Sequence, residues 1–417
     1  MSELLASTSV CRCRLCAAPL KHPVLDLGSQ PLSNALLSAE QLQEPEVTYP
    51  LKVYRCNKCG LVQLPMHATR ETIFEQEYVY LSGYSKTWRE HCRAFAREMK
   101  DRRKLGASSV IYEIASNDGT LLKEFQKLGI TQNVCGIEPA KNVAEIARKN
   151  NVPTVNGFFG AEMVERLHPA DRPPADLIVA NNVLAHVPDL HDFVRGMKCL
   201  LSPSGCISIE VPWLLNLIEG CQWDTVYHEH FSYFSIEVLW KLFAEHELAI
   251  REAVLLPTHG GSLRIIVEHD RGEFATLGCH ELMQREVSAG ISDGTALLGF
   301  QEEVDMMKYA LLEFLIEQKK CGFSVLGFGA AAKGNTLLNY AGVRPDLLAF
   351  IVDDNPLKQG RFTPGTQIPI LDTQALIAAE PHYVLVLPWN VGADARERLS
   401  PLLESGSKLL NPRLEPV

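Results

Sequence analysis

Between Trp223 and Ser235 the chain reads WDTVYHEHFSYFS, which brings Asp224, Tyr227, His228, Glu229, His230 and Tyr233 into one short segment. Histidine has an ordinary pKa of about 6.5, so it exchanges protons near neutral pH better than other side chains. A segment this dense in acids, bases and phenols points to proton transfer, because many polar groups are costly to bury without a task. Two other readings stay open. His228 and His230 would share one face of a strand and form a metal pair, although the stretch offers no clear third ligand and is not H-E-x-x-H. The other reading is a set of interior hydrogen bonds.

Cys13 and Cys16, and again Cys56 and Cys59, stand in the Cys-x-x-Cys spacing that turns two thiolates onto one ion. Four thiolates suit tetrahedral Zn²⁺ at about 2.3 Å each, and with every position filled such a site is structural. Its binding energy would be folding energy for a small N-terminal unit. Cys11 is a spare thiol. Paired spacings of this kind fit a reducing compartment, where disulfide frameworks are rare.

A third group lies in YEIASNDGTLL, Tyr112–Leu122, where a strand gives way to a helix. Glu113 ends the strand, and Ala115, Asn117 and Gly119 fill the small or permissive positions that let a ligand approach the backbone. Further on, CGIEPA places Glu138 at the end of the next strand, where a carboxylate can accept ribose hydroxyls. A nicotinamide cofactor would use the same device. NGFF, with Phe158 and Phe159, and ANN, with Asn181, supply candidate adenine and methionine walls, and they favour S-adenosylmethionine. In GFGAAAKGN, Gly327–Asn335, backbone amides, Lys333 and Asn335 would cradle a diphosphate at a helix start. The acids Asp353 and Asp354 keep a nicotinamide dinucleotide as the alternative there. His259 in THGG and Asn34 in PLSN are candidates to face a sugar or to hold turns.

These groups need rigid elements behind them. SVIYEIA, NVCGIEP, ADLIVANNV and GCISIEVP read as buried strands, with NVAEIARKN and LHDFVRGMKCLL as helices between them. Such alternation predicts an α/β fold with a parallel, doubly wound sheet. After a long helix over GFQEEVDMMKYALLEFLIEQKKCG, the alternation restarts at FSVLGFG and predicts a second, smaller Rossmann-like unit. Three domains follow: residues 1–75 around the metal, 76–290 around the cofactor, and 291–417.

The 417 residues carry a formal net charge of -10, so no positive field exists to attract nucleic acid or an anionic membrane. The start, MSELLASTSV, lacks a signal peptide's basic and apolar parts, and no apolar run reaches about 18 residues. A cytoplasmic protein, monomeric or weakly self-associating, is expected.

The series Cys-x-x-Cys, Cys-x-x-Cys, YVYLSGYS, EIASNDG, GIEPA, NNVLAHVPD, VYHEHFSYFS, THGGSLR and GFGAAAKGN resembles the sugar C-methyltransferases of deoxysugar biosynthesis, over essentially the whole chain. The resemblance implies a Rossmann-like class I methyltransferase with a zinc-binding N-terminal domain and a Rossmann-like C-terminal domain. It implies S-adenosylmethionine as methyl donor, structural zinc, and methylation of C3 of a nucleotide-diphospho-4-keto-6-deoxy sugar. It also implies catalytic groups at Tyr78 or Tyr80, His186, Tyr227, Glu229 and His230. The chemistry needs an enolate, hence a base at C3–H and donors at the ketone oxygen. His230, oriented or kept basic by Glu229, is the expected base, with His186 and the tyrosines as donors. A methyltransferase acting on another carbon or on a hydroxyl, or a binding protein that keeps the fold, are the alternatives.

Overall fold

Strands buried on both faces require helices on both sides, and that demand organises the middle of the chain. In the computed structural model, which describes residues 11–74, 78–167, 173–272 and 277–417, seven strands form one sheet. Their order is Leu248–Leu256, Ser262–His269, Leu201–Pro212, Ala175–Asn181, Ile111–Ile114, Val134–Glu138 and Thr154–Asn156. Numbered along the chain from the far edge, this is 3-2-1-4-5-7-6. Ser262–His269 runs antiparallel to both neighbours and the rest of the ladder is parallel. The arrangement is that of a class I methyltransferase.

Helices Lys86–Arg103 and Thr120–Lys127 cover one face through Phe95, Met99, Leu122 and Phe125. Helix Leu190–Leu200 covers the other, with Phe193 and Met197 packed toward Tyr112, Ile178 and Ile207. The order reverses between Ile111–Ile114 and Ala175–Asn181, and the crevice beyond their carboxyl ends is where a doubly wound sheet takes its ligand.

Around the four cysteines lies a four-stranded antiparallel sheet in the order Pro23–Gln30, Tyr49–Arg55, Val62–Gln63, Ser232–Tyr233. Its last strand comes from the histidine-bearing segment Trp223–Ser235: Val62 pairs with Tyr233 and Gln63 with Ser232. The unit is therefore not closed within residues 1–75. An unpaired edge needs a partner, and a two-residue strand carries no periodicity by which the sequence could announce it.

The C-terminal sheet is wholly parallel, ordered Ile370–Leu371, Ile351–Val352, Val325–Phe328, Tyr383–Val386, Lys408–Leu410, and is reached through helix Phe300–Lys320. It touches the N-terminal sheet: Leu37 bridges Phe362, and Gly365 N–H donates to the Glu46 carboxylate at 2.8 Å. Among the described residues no helix is long and apolar enough to cross a membrane.

Gly119 holds the crevice loop, with φ +79° and Val152 only 2.8 Å from where a Cβ would stand. Gly119→Ala is expected to destabilise the protein by about 1–3 kcal/mol, read as a lower denaturant midpoint. An unchanged midpoint would mean that the loop leaves this conformation freely.

Candidate functional site

The four cysteine sulfurs lie within 4.8 Å of one another, with Cys13 Sγ 3.5 Å from Cys59 Sγ and Cys16 Sγ 3.5 Å from Cys56 Sγ. Zinc–sulfur bonds of about 2.3 Å place tetrahedral sulfurs roughly 3.8 Å apart, so the set fits zinc. Tight turns present the thiols: Ala17 N–H reaches Cys13 O at 2.8 Å and Gly60 N–H reaches Cys56 O at 2.9 Å. Gln63 Nε2 donates to Cys13 Sγ at 3.1 Å, the kind of outer contact that fixes a ligand. Cys11 is exposed and outside the cluster.

His228 and His230 do not make a metal pair. The segment is not an extended strand there: His230 N–H closes a turn onto Tyr227 O at 2.9 Å. The two rings diverge, His228 Nε2 to Tyr49 O at 3.2 Å and His230 Nδ1 to Thr225 O at 2.8 Å. Among the described residues the four cysteines are the one cluster suited to a metal.

His230 instead joins a group of rings. Its centroid is 4.0 Å from Tyr227 and 4.7 Å from His186. Phe74 packs on His186 and on Tyr78, each at 5.8 Å. His186 Nδ1 meets Glu229 O at 2.8 Å. Because a carbonyl only accepts, both histidines carry a proton on Nδ1, and in the neutral form of either ring the lone pair is on Nε2. One expectation changes: neutral His186 presents an acceptor where a donor was expected, while Thr225 O is a partner of His230 Nδ1. Burial holds His186 down to a pKa of about 4, so it is neutral at physiological pH.

Glu229 is buried, and Asn34 Nδ2 donates to its Oε1 at 2.6 Å. Burial outweighs that donor and pushes the carboxyl up to about 7. Tyr78 and Tyr227 are raised well above the ordinary phenol value, by burial and then by Glu229, so both stay protonated donors. Glu138 also bears on Tyr78, so the phenol feels the acids of both the ring group and the crevice. Tyr80 is 45% exposed, and its carbonyl takes Asn117 Nδ2 at 3.1 Å. Tyr78, not Tyr80, belongs to the ring group.

At the crevice, Ala115, Asn117 and Gly119 all have left-handed φ, 55°, 51° and 79°. Glu138 accepts Asn117 N–H at 2.9 Å and Ala140 N–H at 2.8 Å, and burial raises it to about 7. Glu113 Oε2, both amide atoms of Asn181 and Asn182 Oδ1 are buried without a hydrogen-bond partner. Each such atom costs about 1–3 kcal/mol unsatisfied. The set fits the polar edges of S-adenosylmethionine. Phe158 lies under the Arg70 guanidinium at 4.4 Å. Phe159 is buried against Phe193 at 5.3 Å, a core residue and not a wall of the crevice.

Sequence reasoning missed what ties the segment after Phe74 in place. Three successive carbonyls accept side-chain amides: Tyr78 O from Asn142 at 3.0 Å, Val79 O from Asn355 at 2.7 Å, and Tyr80 O from Asn117. No spacing rule links asparagines so far apart. Their only signal is that each sits near a strand end.

The C-terminal glycine loop is not an open anion cradle. Asp353 Oδ2 already takes Ala330 N–H at 2.9 Å and Lys358 Nζ at 3.1 Å. Asp354 pairs with Arg398 and Thr373, so neither acid is free for a ribose, and the dinucleotide alternative loses its support. Asn335 is buried, with Nδ2 on Ser33 O at 2.6 Å, a tie between sheets. Lys333 Nζ bonds Asn390 Oδ1 at 2.7 Å and lies 4.4 Å over the Trp389 ring, whose Nε1 donates to Asp224 at 2.7 Å. Beside them is a cavity of about 230 Å³ lined by Asp224, Trp389, Asn411 and Arg413. His259 stands in the helical turn Thr258–Gly260, and its side chain lies outside what the structure describes.

Family models match the chain in three parts: a zinc binding domain over residues 13–74, a methyltransferase domain over 87–253, and a C-methyltransferase C-terminal domain over 257–412. The chain is 31% identical to C-methyltransferase NovU of Streptomyces niveus over 406 residues, 97% of this chain and 96% of that protein. Solved structures with partial likeness include magnesium protoporphyrin IX methyltransferase ChlM of Synechocystis PCC 6803 with bound SAH, at 11% identity and TM-score 0.35, over 44% of this chain and 83% of that one. Protein PH0226 of Pyrococcus horikoshii OT3 is similar at 13% identity and TM-score 0.35, over 46% of this chain and 95% of that one.

The raised Glu229 has a consequence for stability. Between its ordinary pKa of 4.5 and its folded value of about 7, the folded protein holds a proton that the unfolded chain has lost. That contribution is full below about pH 4.5 and gone above about pH 7. Glu229→Gln, neutral throughout, should raise stability at pH 8 by about 2–3 kcal/mol and leave it unchanged at pH 4 in denaturant titrations. No gain at pH 8 would mean that the anion is satisfied in place.

Proposed function

The chain belongs to the C-methyltransferase family, and from that premise we propose that it methylates C3 of a nucleotide-diphospho-4-keto-6-deoxy sugar through an enolate. The supporting observation is the ring group itself: an imidazole whose Nδ1 proton is fixed on a backbone carbonyl, two protonated phenols and a buried carboxyl beside a crevice lined with unpartnered polar atoms. Carbon alpha to a ketone becomes a nucleophile only when its proton is removed while the oxygen's growing charge is held. O-methylation would need no such pairing of base and donors.

His230 Nε2 removes the C3 proton, and the Thr225 carbonyl stabilises the imidazolium through Nδ1–H. His186, with a pKa near 4, is the poorer base and accepts a sugar hydroxyl instead. Tyr227 and Tyr78 donate to the enolate oxygen. Glu229, pinned by Asn34, meets a further hydroxyl. When bound, S-adenosylmethionine supplies an electrophilic methyl on sulfur. Glu113, Asn117, Glu138 and Asn181 would hold it, and in-line placement behind C3 is worth several kcal/mol. A zinc ion held by Cys13, Cys16, Cys56 and Cys59 would have all four positions filled by thiolates, which would leave none for substrate.

Lys333 and the cavity beside Asp224 and Trp389 would take the nucleotide end of the substrate. On this reading residues 1–75 form the zinc unit, 76–290 the methyl-donor unit and 291–417 the unit for the nucleotide.

The test is a panel of nucleotide keto sugars with the methyl donor, read by mass spectrometry, together with C3 deuterium exchange without the donor. One sugar should gain a CH₂ unit and exchange its C3 hydrogen. His230→Ala should slow exchange by about 10²- to 10⁴-fold with donor binding intact by calorimetry. Methylation without exchange would sink the enolate route. Exchange lost in His186→Ala but kept in His230→Ala would move the base to His186.

A further inference from the structure

We infer that Arg14, the residue after Cys13 in the first cysteine pair, is a positioning residue that holds the His186 and His230 segments against each other. The inference rests on the reading that these two rings face the reacting carbon.

Arg14 stands between Cys13 and Cys16 of the four-cysteine set, so a bound zinc would fix its backbone. Its N–H donates to Gln63 Oε1 at 2.9 Å, and the same Gln63 donates to Cys13 Sγ. From this anchor the guanidinium reaches three groups. Nη2 donates to Leu64 O, Nη1 donates to Pro188 O at 3.2 Å, and Cζ lies 5.2 Å from the Phe231 ring centre. Pro188 is two residues past His186, and Phe231 directly follows His230.

The three contacts converge on strands of backbone already laced together. Phe231 N–H donates to Ala185 O at 2.7 Å, and Leu64 N–H donates to Phe231 O at 3.0 Å. Arg14 closes this set from behind the rings. A planar fork can bridge two carbonyls while its face lies on an aromatic ring, whereas an ammonium offers a point charge and cannot do both. Arg14 Nε is meanwhile buried without a partner, a cost that an apolar side chain of similar size would not carry. What the arginine adds is a bridge from Leu64, whose N–H holds Phe231 O, to Pro188, and that bridge braces the Phe231–Ala185 contact between the two histidine segments.

The zinc unit thus does more than fold itself. It sets the separation of two imidazoles whose centroids are 4.7 Å apart. A displacement of about 1 Å at a reacting group can cost on the order of 10²-fold in rate.

Arg14→Lys and Arg14→Ala should be prepared with zinc content, calorimetric S-adenosylmethionine affinity and the ¹⁵N ring signals of His186 and His230 measured on each. With thymidine-diphospho-4-keto-6-deoxyglucose as probe, both variants should lose about 10- to 100-fold in C3 exchange and in kcat, keep full zinc and keep donor affinity within about twofold. Both histidine signals should move, and added guanidinium should partly restore exchange in Arg14→Ala. Unmoved ring signals with full zinc would overturn the inference. So would loss of zinc and donor binding together in Arg14→Lys, which would make Arg14 a residue of the zinc fold alone. If the wild-type protein exchanges no sugar, the enolate reading fails, while the ring signals still decide whether Arg14 holds the histidines.

Discussion

Two backbone carbonyls decide what the imidazoles of this protein can be. Thr225 O and Glu229 O each take an Nδ1 proton, and a carbonyl has no proton to return. The tautomer is therefore set by the main chain, independent of any side chain that could itself titrate. Both carbonyls belong to the segment whose far end is sewn into the zinc-bearing sheet through Ser232 and Tyr233. The chemistry of the rings thus depends on a pairing made in another unit of the fold.

Desolvation sets the second condition. The same burial that raises Glu138 and Glu229 and lowers His186 shifts each of these three groups toward its neutral form. A pocket of neutral donors and acceptors responds sharply to charge that develops within it, because little else is present to screen that charge. The crevice next to it is different in kind. There the polar atoms are already buried and lack partners, so a ligand that supplies them gains binding energy without first having to displace internal hydrogen bonds.

Much of the fold is legible in the chain because periodicity reports burial. IYEI, VCGIE and ADLIVAN announce strands that face helices on both sides, and the two Cys-x-x-Cys pairs announce a site whose geometry is local to each turn. The candidate site is legible in its residue types but less so in its arrangement. HEH reads as one face of a strand, yet a single turn hydrogen bond from His230 to Tyr227 sends the rings apart. GFGAAAK reads as an anion cradle, yet Asp353 arrives from the next strand and fills it. NGFF offers two aromatic rings in sequence, of which one joins the core and one meets an arginine. In the last two cases a partner distant along the chain decides, and no local pattern carries that partner.

The pairing of Val62–Gln63 with Ser232–Tyr233 also has a history in each molecule. The residues that ligate zinc leave the ribosome well before the strand that completes their sheet, on the order of ten seconds earlier at ordinary rates of synthesis. During that interval the nascent sheet has an open edge at Val62, and closing the connection to Tyr233 is entropically slow. Metal captured early would keep the four cysteines together through the wait. The arrangement of the His186 and His230 rings then waits on a strand made long after the cysteines, so the ring geometry inherits the fidelity of that late pairing.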